Sequence, residues 1–241
     1  MTVLRRLIVT VLLLAAAAAQ GRTIAVIGTG DVGSVLGRRW SEAGHTVIYG
    51  SRAPASARVR ALLKATGPDA RADTPAAAAA AAEVVVLAVP FHAVEALLPT
   101  LGDLGRRIVI DCTNPLTPDL DGLVTGPDRS GAEIIASLLP RAQVVKALNT
   151  TGVANMEDPV YPDGPLTMLL AGESAMAKAV AASLVEDLGF EAVDAGPLAA
   201  ARWLEPMAVL WIELARRQPD GADVGFRLVR RPAATPPAVA P

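Results

Sequence analysis

The chain has 241 residues, with 22 Lys and Arg against 24 Asp and Glu, a formal net charge of -2. That balance gives no electrostatic reason to expect nucleic acid or an anionic membrane surface as partner. The single cysteine, Cys112, excludes an intramolecular disulfide, and the two distant histidines, His45 and His92, make no ligand spacing, so no metal site is expected.

Residues 1–20 stand outside the fold. Arg5 and Arg6 precede an apolar run from Leu7 to Ala19, which closes on Ala17-Ala18-Ala19 ahead of Gln20. This is the layout of a secretory signal peptide, and the run is short for a membrane span. The arginine pair resembles a twin-arginine export signal. A misassigned start codon and an uncleaved tether are the other readings. Cleavage implies a periplasmic or extracellular protein with no stable membrane span after processing; retention implies a cytoplasmic one, where a nicotinamide cofactor is made and kept reduced.

The next elements alternate. Thr23 to Ile27 predicts a strand, 31–43 a helix, 45–49 a strand, 54–65 a helix and 74–82 an Ala-rich helix. "EVVVLAVP" (83–90) is almost continuously apolar, as for a strand covered on both faces. A helix from 92 to 101, a strand at 106–113, a helix at 131–139 and a strand at 142–149 follow. After 150 the alternation continues with strands at 165–172 and 190–195, helices at 173–188 and 198–217, and a final short strand at 224–231. Strands alternating with helices imply right-handed crossovers and an α/β, Rossmann-type doubly wound parallel sheet. Residues 21–150 form the dinucleotide-binding domain, and 151–230 a small C-terminal α/β subdomain that completes the cleft. Residues 231–241 are a Pro/Ala-rich tail without apolar periodicity, expected to be disordered.

The first motif sits between the first strand and the first helix. Gly28, Gly30 and Gly33 make G-x-G-x-x-G in that setting. Gly28 permits the tight turn, Gly30 lets a pyrophosphate approach the backbone, and Gly33 lets helix and strand pack closely. The helix N-terminus offers N–H groups and its positive dipole end to phosphate. A bare tight turn is the alternative. At the end of the second strand a carboxylate is the usual partner of the free ribose hydroxyl of NAD. This chain has Gly50-Ser51-Arg52 instead. A guanidinium and a hydroxyl suit the 2′-phosphate of NADP, so NADP(H) is the expected cofactor. An arginine solvated in a turn is the competing reading.

"IGTGDVGSVLGRRWSEAGHTVIYGSR" resembles the opening of NADPH-dependent reductases of the deazaflavin coenzyme F420. The resemblance runs on through "VVVLAVP", "VIDCTNPL", "SGAEIIASLLP", "VVKALNTTG" and "VDAGPLAAARWLE", and ends near "VGFRL". It covers about residues 22–230. The cytosolic domain of the six-transmembrane ferric reductases is similar too. The resemblance implies a hydride-passing NADP(H) oxidoreductase with a deazaflavin or flavin as second substrate. It places Thr29, Gly30, Asp31 and Val32 along the pyrophosphate, Ser51 and Arg52 at the 2′-phosphate, and Val89, Pro90, Asn114 and Asn149 at the strand ends of the nicotinamide side. The same rim follows from the rule that ligands sit beyond the carboxyl ends of the strands. Pro90 as a strand stop and Asn114-Pro115 as a turn opening are the plain alternatives.

No paired carboxylates, Ser/His/Asp set or activated lysine in motif context is present, so no catalytic side chain is assigned. His45 is expected to be structural and Cys112 a small buried residue. The Trp203–Trp211 stretch has the spacing of packing or subunit contact, as in a homodimer. Three functional readings stand: transfer to a small-molecule redox acceptor, an NADP-dependent dehydrogenase or reductase of a small imine or oxo substrate, and an NADP-binding sensor without turnover.

Overall fold

The computed structural model describes residues 21–231. The signal-peptide reading of 1–20 and the tail beyond Arg231 lie outside the described residues. Strands β1 (Thr23–Ile27), β2 (Thr46–Gly50), β3 (Arg71–Asp73), β4 (Val84–Leu87), β5 (Ile108–Asp111) and β6 (Gln143–Lys146) come first. A short hairpin, β7 (Val160–Tyr161) and β8 (Gly164–Pro165), leads to β9 (Thr167–Gly172) and β10 (Glu191–Asp194). Apart from the hairpin, the strands form one eight-stranded sheet in the order β10-β9-β6-β5-β4-β1-β2-β3. The pairs are parallel except β6 with β9, so the expected parallel sheet carries one reversed junction. Strands β9 and β10 therefore extend the same sheet.

Alternation along the strands sorts their side chains between two layers. Ile24 and Val26 of β1 pack with helices α1 (Asp31–Glu42), α2 (Ala57–Thr66), α6 (Val153–Glu157) and α7 (Ala175–Glu186). Ala25 and Ile27 pack on the other face with α3 (Pro75–Ala80), α4 (Val94–Leu97) and α5 (Gly131–Leu138). Helix α8 (Ala201–Arg217) buries Ala201 in that second layer. With both faces covered, β4 reads as an unbroken buried Val-Val-Val-Leu.

Local chemistry explains the helix boundaries. Ser56, Thr74, Ser130 and Ser174 cap α2, α3, α5 and α7 by accepting from the backbone N–H three residues on. Ser130 and Glu133 complete a capping box. The helix expected over 92–101 is divided into a 3-10 turn (Phe91–Ala93), α4 and a second 3-10 turn (Leu98–Leu101), because Pro99 has no N–H for the ladder. The strand expected at 224–231 is absent. Among the described residues the segment's bonds to β9 are confined to Thr167, whose N–H donates to Phe226 O and whose Oγ1 accepts from Leu228 N. His45 is structural, as expected. Its Nδ1 accepts from the Arg22 N–H and its Nε2 lies 3.0 Å from Asp187 Oδ2, tying the entry of β1 to the end of α7.

Candidate functional site

The strand order reverses between β1 and β4, and the crevice beyond their carboxyl ends is where an open α/β sheet binds its ligand. Gly28 turns the chain there with φ +120°, and its N–H donates to Gly50 O at 3.1 Å, joining the loop to the end of β2. A Cβ on Gly28 would collide with the Ala88 carbonyl, and one on Gly33 with the Gly28 carbonyl. Gly30 differs. A Cβ there meets no protein atom within 4 Å, and φ -75°, ψ -169° is open to any L-residue. Neither packing nor backbone requires glycine at that point, so the space above it is a cradle that a side chain would fill. Gly30 caps α1 without a side-chain hydrogen bond. The first N–H groups of α1, from Asp31, Val32 and Gly33, have no helical acceptors and are available to an anion. A pyrophosphate fits this donor set.

The adenosine end lies at the close of β2. Ser51 is half-buried, and its Oγ accepts from Ala53 N, leaving the hydroxyl proton to donate. Arg52 is exposed and forms no ion pair among the described residues. Val89 and Pro90 follow β4, and Val89 Cγ1 stands beside Gly28. The Phe91 ring packs against Gly131 at the start of α5.

At the other end, β5 and β6 bring Asn114 and Asn149 together. Asn114 Nδ2 donates to Asn149 O at 2.9 Å, and Asn149 Nδ2 donates to Asn114 Oδ1 at 3.0 Å and to Leu204 O at 2.9 Å. Asn149 is buried, and its Oδ1 has no hydrogen-bond partner among the described residues. Leu148, just before it, holds φ +59°, a left-handed conformation that costs a non-glycine residue about 1–2 kcal/mol. The surrounding core keeps it there, since Leu148 is wholly buried.

Beneath this pair lies a buried charge network. Lys146 Nζ is 2.9 Å from Asp111 Oδ2 and 3.0 Å from Glu205 Oε1, and also donates to the Thr113 carbonyl. Asp111 Oδ1 accepts from the Thr113 N–H and hydroxyl. Glu205, on α8, accepts from Gly131 N at 2.8 Å and Ala132 N at 3.1 Å, capping α5. Burial opposes the Lys146 charge, but the carboxylates of Asp111 and Glu205 outweigh it and raise the ammonium pKa above its ordinary value. The lysine is therefore a sealed cation that holds the rim; it has no route to a substrate. Removal from water, with a further push from Asp111, raises the Cys112 thiol pKa well above the usual range, which disfavours the nucleophilic thiolate. His92 is exposed beside the rim.

Of the residues expected at the site, Gly28, Thr29, Gly30, Asp31, Val32, Gly33, Ser51, Arg52, Val89 and Pro90 gather around the loop and the neighbouring strand ends. Asn114 and Asn149 meet one another farther along the rim. Sequence reasoning missed Arg58, which reaches the glycine loop, and the Asp111–Lys146–Glu205 network. The signal for the network was charge inside apolar runs: Asp111 closes "IVID", Lys146 follows "VV", and Glu205 shares a helix face with Ala201, Leu204 and Ala208. The Trp203–Trp211 stretch divides. Trp211 packs on Gly152 and donates to Val224 O, whereas Trp203 is exposed. Among the described residues no cluster of three or more His, Cys, Asp or Glu side chains is set to hold a metal, and no helix is long and apolar enough to cross a membrane.

A doubly wound sheet with a glycine-rich loop at its switch point defines a Rossmann-type fold. Comparison with known proteins narrows the class. Residues 23–115 match the family "NADP oxidoreductase coenzyme F420-dependent". The F420-dependent NADP reductase of Methanothermobacter thermautotrophicus is 34% identical over 226 residues, covering 87% of this chain and 95% of that one. The chain belongs to this family. A solved structure described as a candidate F420-dependent NADP reductase from an Arthrobacter species superposes with a TM-score of 0.79 at 32% identity, over 87% of this chain and 100% of that one. The rat metalloreductase STEAP3 is 28% identical over 184 residues; the match takes in 76% of this chain but spans only 35% of STEAP3.

Proposed function

We propose that the protein passes a hydride between NADPH and a deazaflavin or flavin acceptor. The observation that carries this reading is the empty space over Gly30, at a loop where no packing constraint calls for glycine. It lies beside α1 N–H groups that lack helical acceptors, in a loop that Gly28 N ties to Gly50 O, the residue just before Ser51 and Arg52. In this reading the backbone of Thr29 to Gly33 holds the pyrophosphate, and Ser51 and Arg52 hold the 2′-phosphate. Val89 and Pro90 wall the nicotinamide side, with the Asn114–Asn149 pair as its far support. The bound nicotinamide supplies the hydride. The chain's part is positioning and exclusion of water, and these account for the rate in a transfer that needs no side-chain proton. A deazaflavin is the acceptor that the methanogen relative is described as using, and a flavin is the alternative within the same site. Residues 1–20 are proposed as an export leader.

The test is NADPH oxidation by the purified protein against coenzyme F420, FMN, FAD and ferric chelates. Turnover with a deazaflavin or flavin supports the proposal. NADPH binding without oxidation by any acceptor rejects it in favour of a sensor. N-terminal sequencing from the native host tests the leader, which predicts a mature chain starting near Gln20; an intact Met1 form rejects it.

A further inference from the structure

Arg52, Arg58, Arg60, Lys64 and Arg71 are clustered in sequence around the β2–α2 connection and β3, and all five are exposed. None forms an ion pair among the described residues, although cations elsewhere, such as Arg38, Arg202 and Lys178, do. The guanidiniums nearest the loop rest on backbone carbonyls instead. Arg58 Nη2 donates to Thr29 O at 3.1 Å, inside the glycine motif, and Arg60 donates to Ala55 O. Thr29 O already accepts from Ser34 Oγ at 3.3 Å, so the loop carbonyl does not depend on Arg58. A guanidinium carries five N–H donors. Arg58 makes a single hydrogen bond among the described residues, to a neutral acceptor, and has donors left over.

Arg58 stands in the first turn of α2, after the Ser56 cap, and its contact with Thr29 draws the β2–α2 connection against the β1–α1 loop. The ribose of a dinucleotide lies between these two loops. We infer that Arg58 is a second specificity-determining cation, which binds the 2′-phosphate of NADP(H) opposite Arg52 while remaining braced on the glycine loop. This rests on the NADP reading of the site. It deepens that reading by giving the phosphate two guanidiniums, Arg52 just past the end of β2 and Arg58 in the first turn of α2.

The experiment is equilibrium titration of the full chain with NADPH, NADH, 2′,5′-ADP and 5′-ADP, in wild type, Arg58→Met, Arg58→Lys and Arg52→Met. The expected result is an Arg58→Met protein that melts like wild type. It should lose about tenfold or more in affinity for NADPH and 2′,5′-ADP, the worth of one charge-assisted hydrogen bond, and keep NADH and 5′-ADP within about twofold. Arg58→Lys should recover part of the loss, and raising salt should shrink it. Equal losses for all four nucleotides would show that Arg58 only braces the loop, and unchanged NADPH affinity would remove it from the pocket; either overturns the inference. Failure of the cofactor reading looks different: wild type would bind NADH as tightly as NADPH, and Arg52→Met would change nothing.

Discussion

Lys146 Nζ lies 3.0 Å from Glu205 Oε1, and neither side chain reaches solvent. The contact joins β6 to α8, and through the Gly131 and Ala132 N–H groups it also anchors α5. Glu205→Ala leaves two helix donors without acceptors and Lys146 with Asp111 as its one remaining carboxylate among the described residues. Breaking one partner of a buried ion pair costs about 3–5 kcal/mol. Urea denaturation should show a loss of that order, with Glu205→Gln less damaged because its amide oxygen still accepts from α5. A loss under about 1 kcal/mol in Glu205→Ala, the size of an ordinary surface pair, would contradict the network.

Gly30 and Gly33 should separate binding from folding. At Gly30 a Cβ meets no protein atom, so Gly30→Ala should melt at the wild-type temperature. It should nonetheless lose NADPH affinity, because the methyl fills the cradle. At Gly33 a Cβ meets the Gly28 carbonyl and comes within 3.2 Å of Val26 Cγ1. Gly33→Ala should therefore cost about 1–3 kcal/mol of stability, the usual range for overpacking. Thermal melts and NADPH titrations of both variants check this. A Gly30→Ala protein that binds NADPH like wild type would remove the pyrophosphate from the loop.

The glycine loop was legible in the sequence because its spacing, the strand before it and the helix after it all carry the same message. The buried strands were legible as apolar runs. Arg58 was not, since its contact with Thr29 spans 29 residues and no periodicity announces it. β3 was missed because it is three residues long and two of them are charged. At 224–231 the apolar residues suggested a strand, but among the described residues the segment's bonds to β9 are confined to Thr167, and Val224 O is instead taken by the side chains of Asn155 and Trp211. The reversal of β9 depends on the β7–β8 hairpin, whose two-residue strands are too short to show a pattern.

Arg52→Asp should turn the adenosine pocket away from NADPH. The lost charge-assisted bond is worth about 1.5–3 kcal/mol, and the new carboxylate adds repulsion against a phosphate while accepting a free ribose hydroxyl. NADPH affinity should fall at least tenfold and NADH should become relatively favoured. Unchanged affinity for both nucleotides would sink the assignment of Arg52.

Acid should loosen α8 through Glu133. The Arg202 guanidinium, assisted by Ser130, holds the Glu133 carboxyl down to about 2, against an ordinary 4.5. A depressed carboxylate contributes stability that is complete above the ordinary value and is lost as pH falls toward the folded one. The melting temperature should therefore decline between about pH 4.5 and 2 partly through this group. Glu133→Gln should flatten that decline while lowering stability near neutrality. A variant whose pH curve runs parallel to wild type would deny the pair a role in holding α5 against α8.

The hydride step should be indifferent to the nearby groups that look reactive. His92 is exposed at the end of β4, and Cys112 follows β5 with its thiol pKa raised by removal from water. Lys146 is sealed between two carboxylates. None combines access with an orienting hydrogen-bond partner among the described residues. Loss of a general acid or base costs about 10²–10⁴-fold. His92→Ala and Cys112→Ala should each slow single-turnover NADPH oxidation by less than about tenfold, with NADPH affinity intact. Deuterium at the transferred position should slow wild type and both variants alike, as expected when the same hydride transfer limits each. A loss near a thousandfold in His92→Ala with normal NADPH binding would instead identify a proton-transfer residue at this rim.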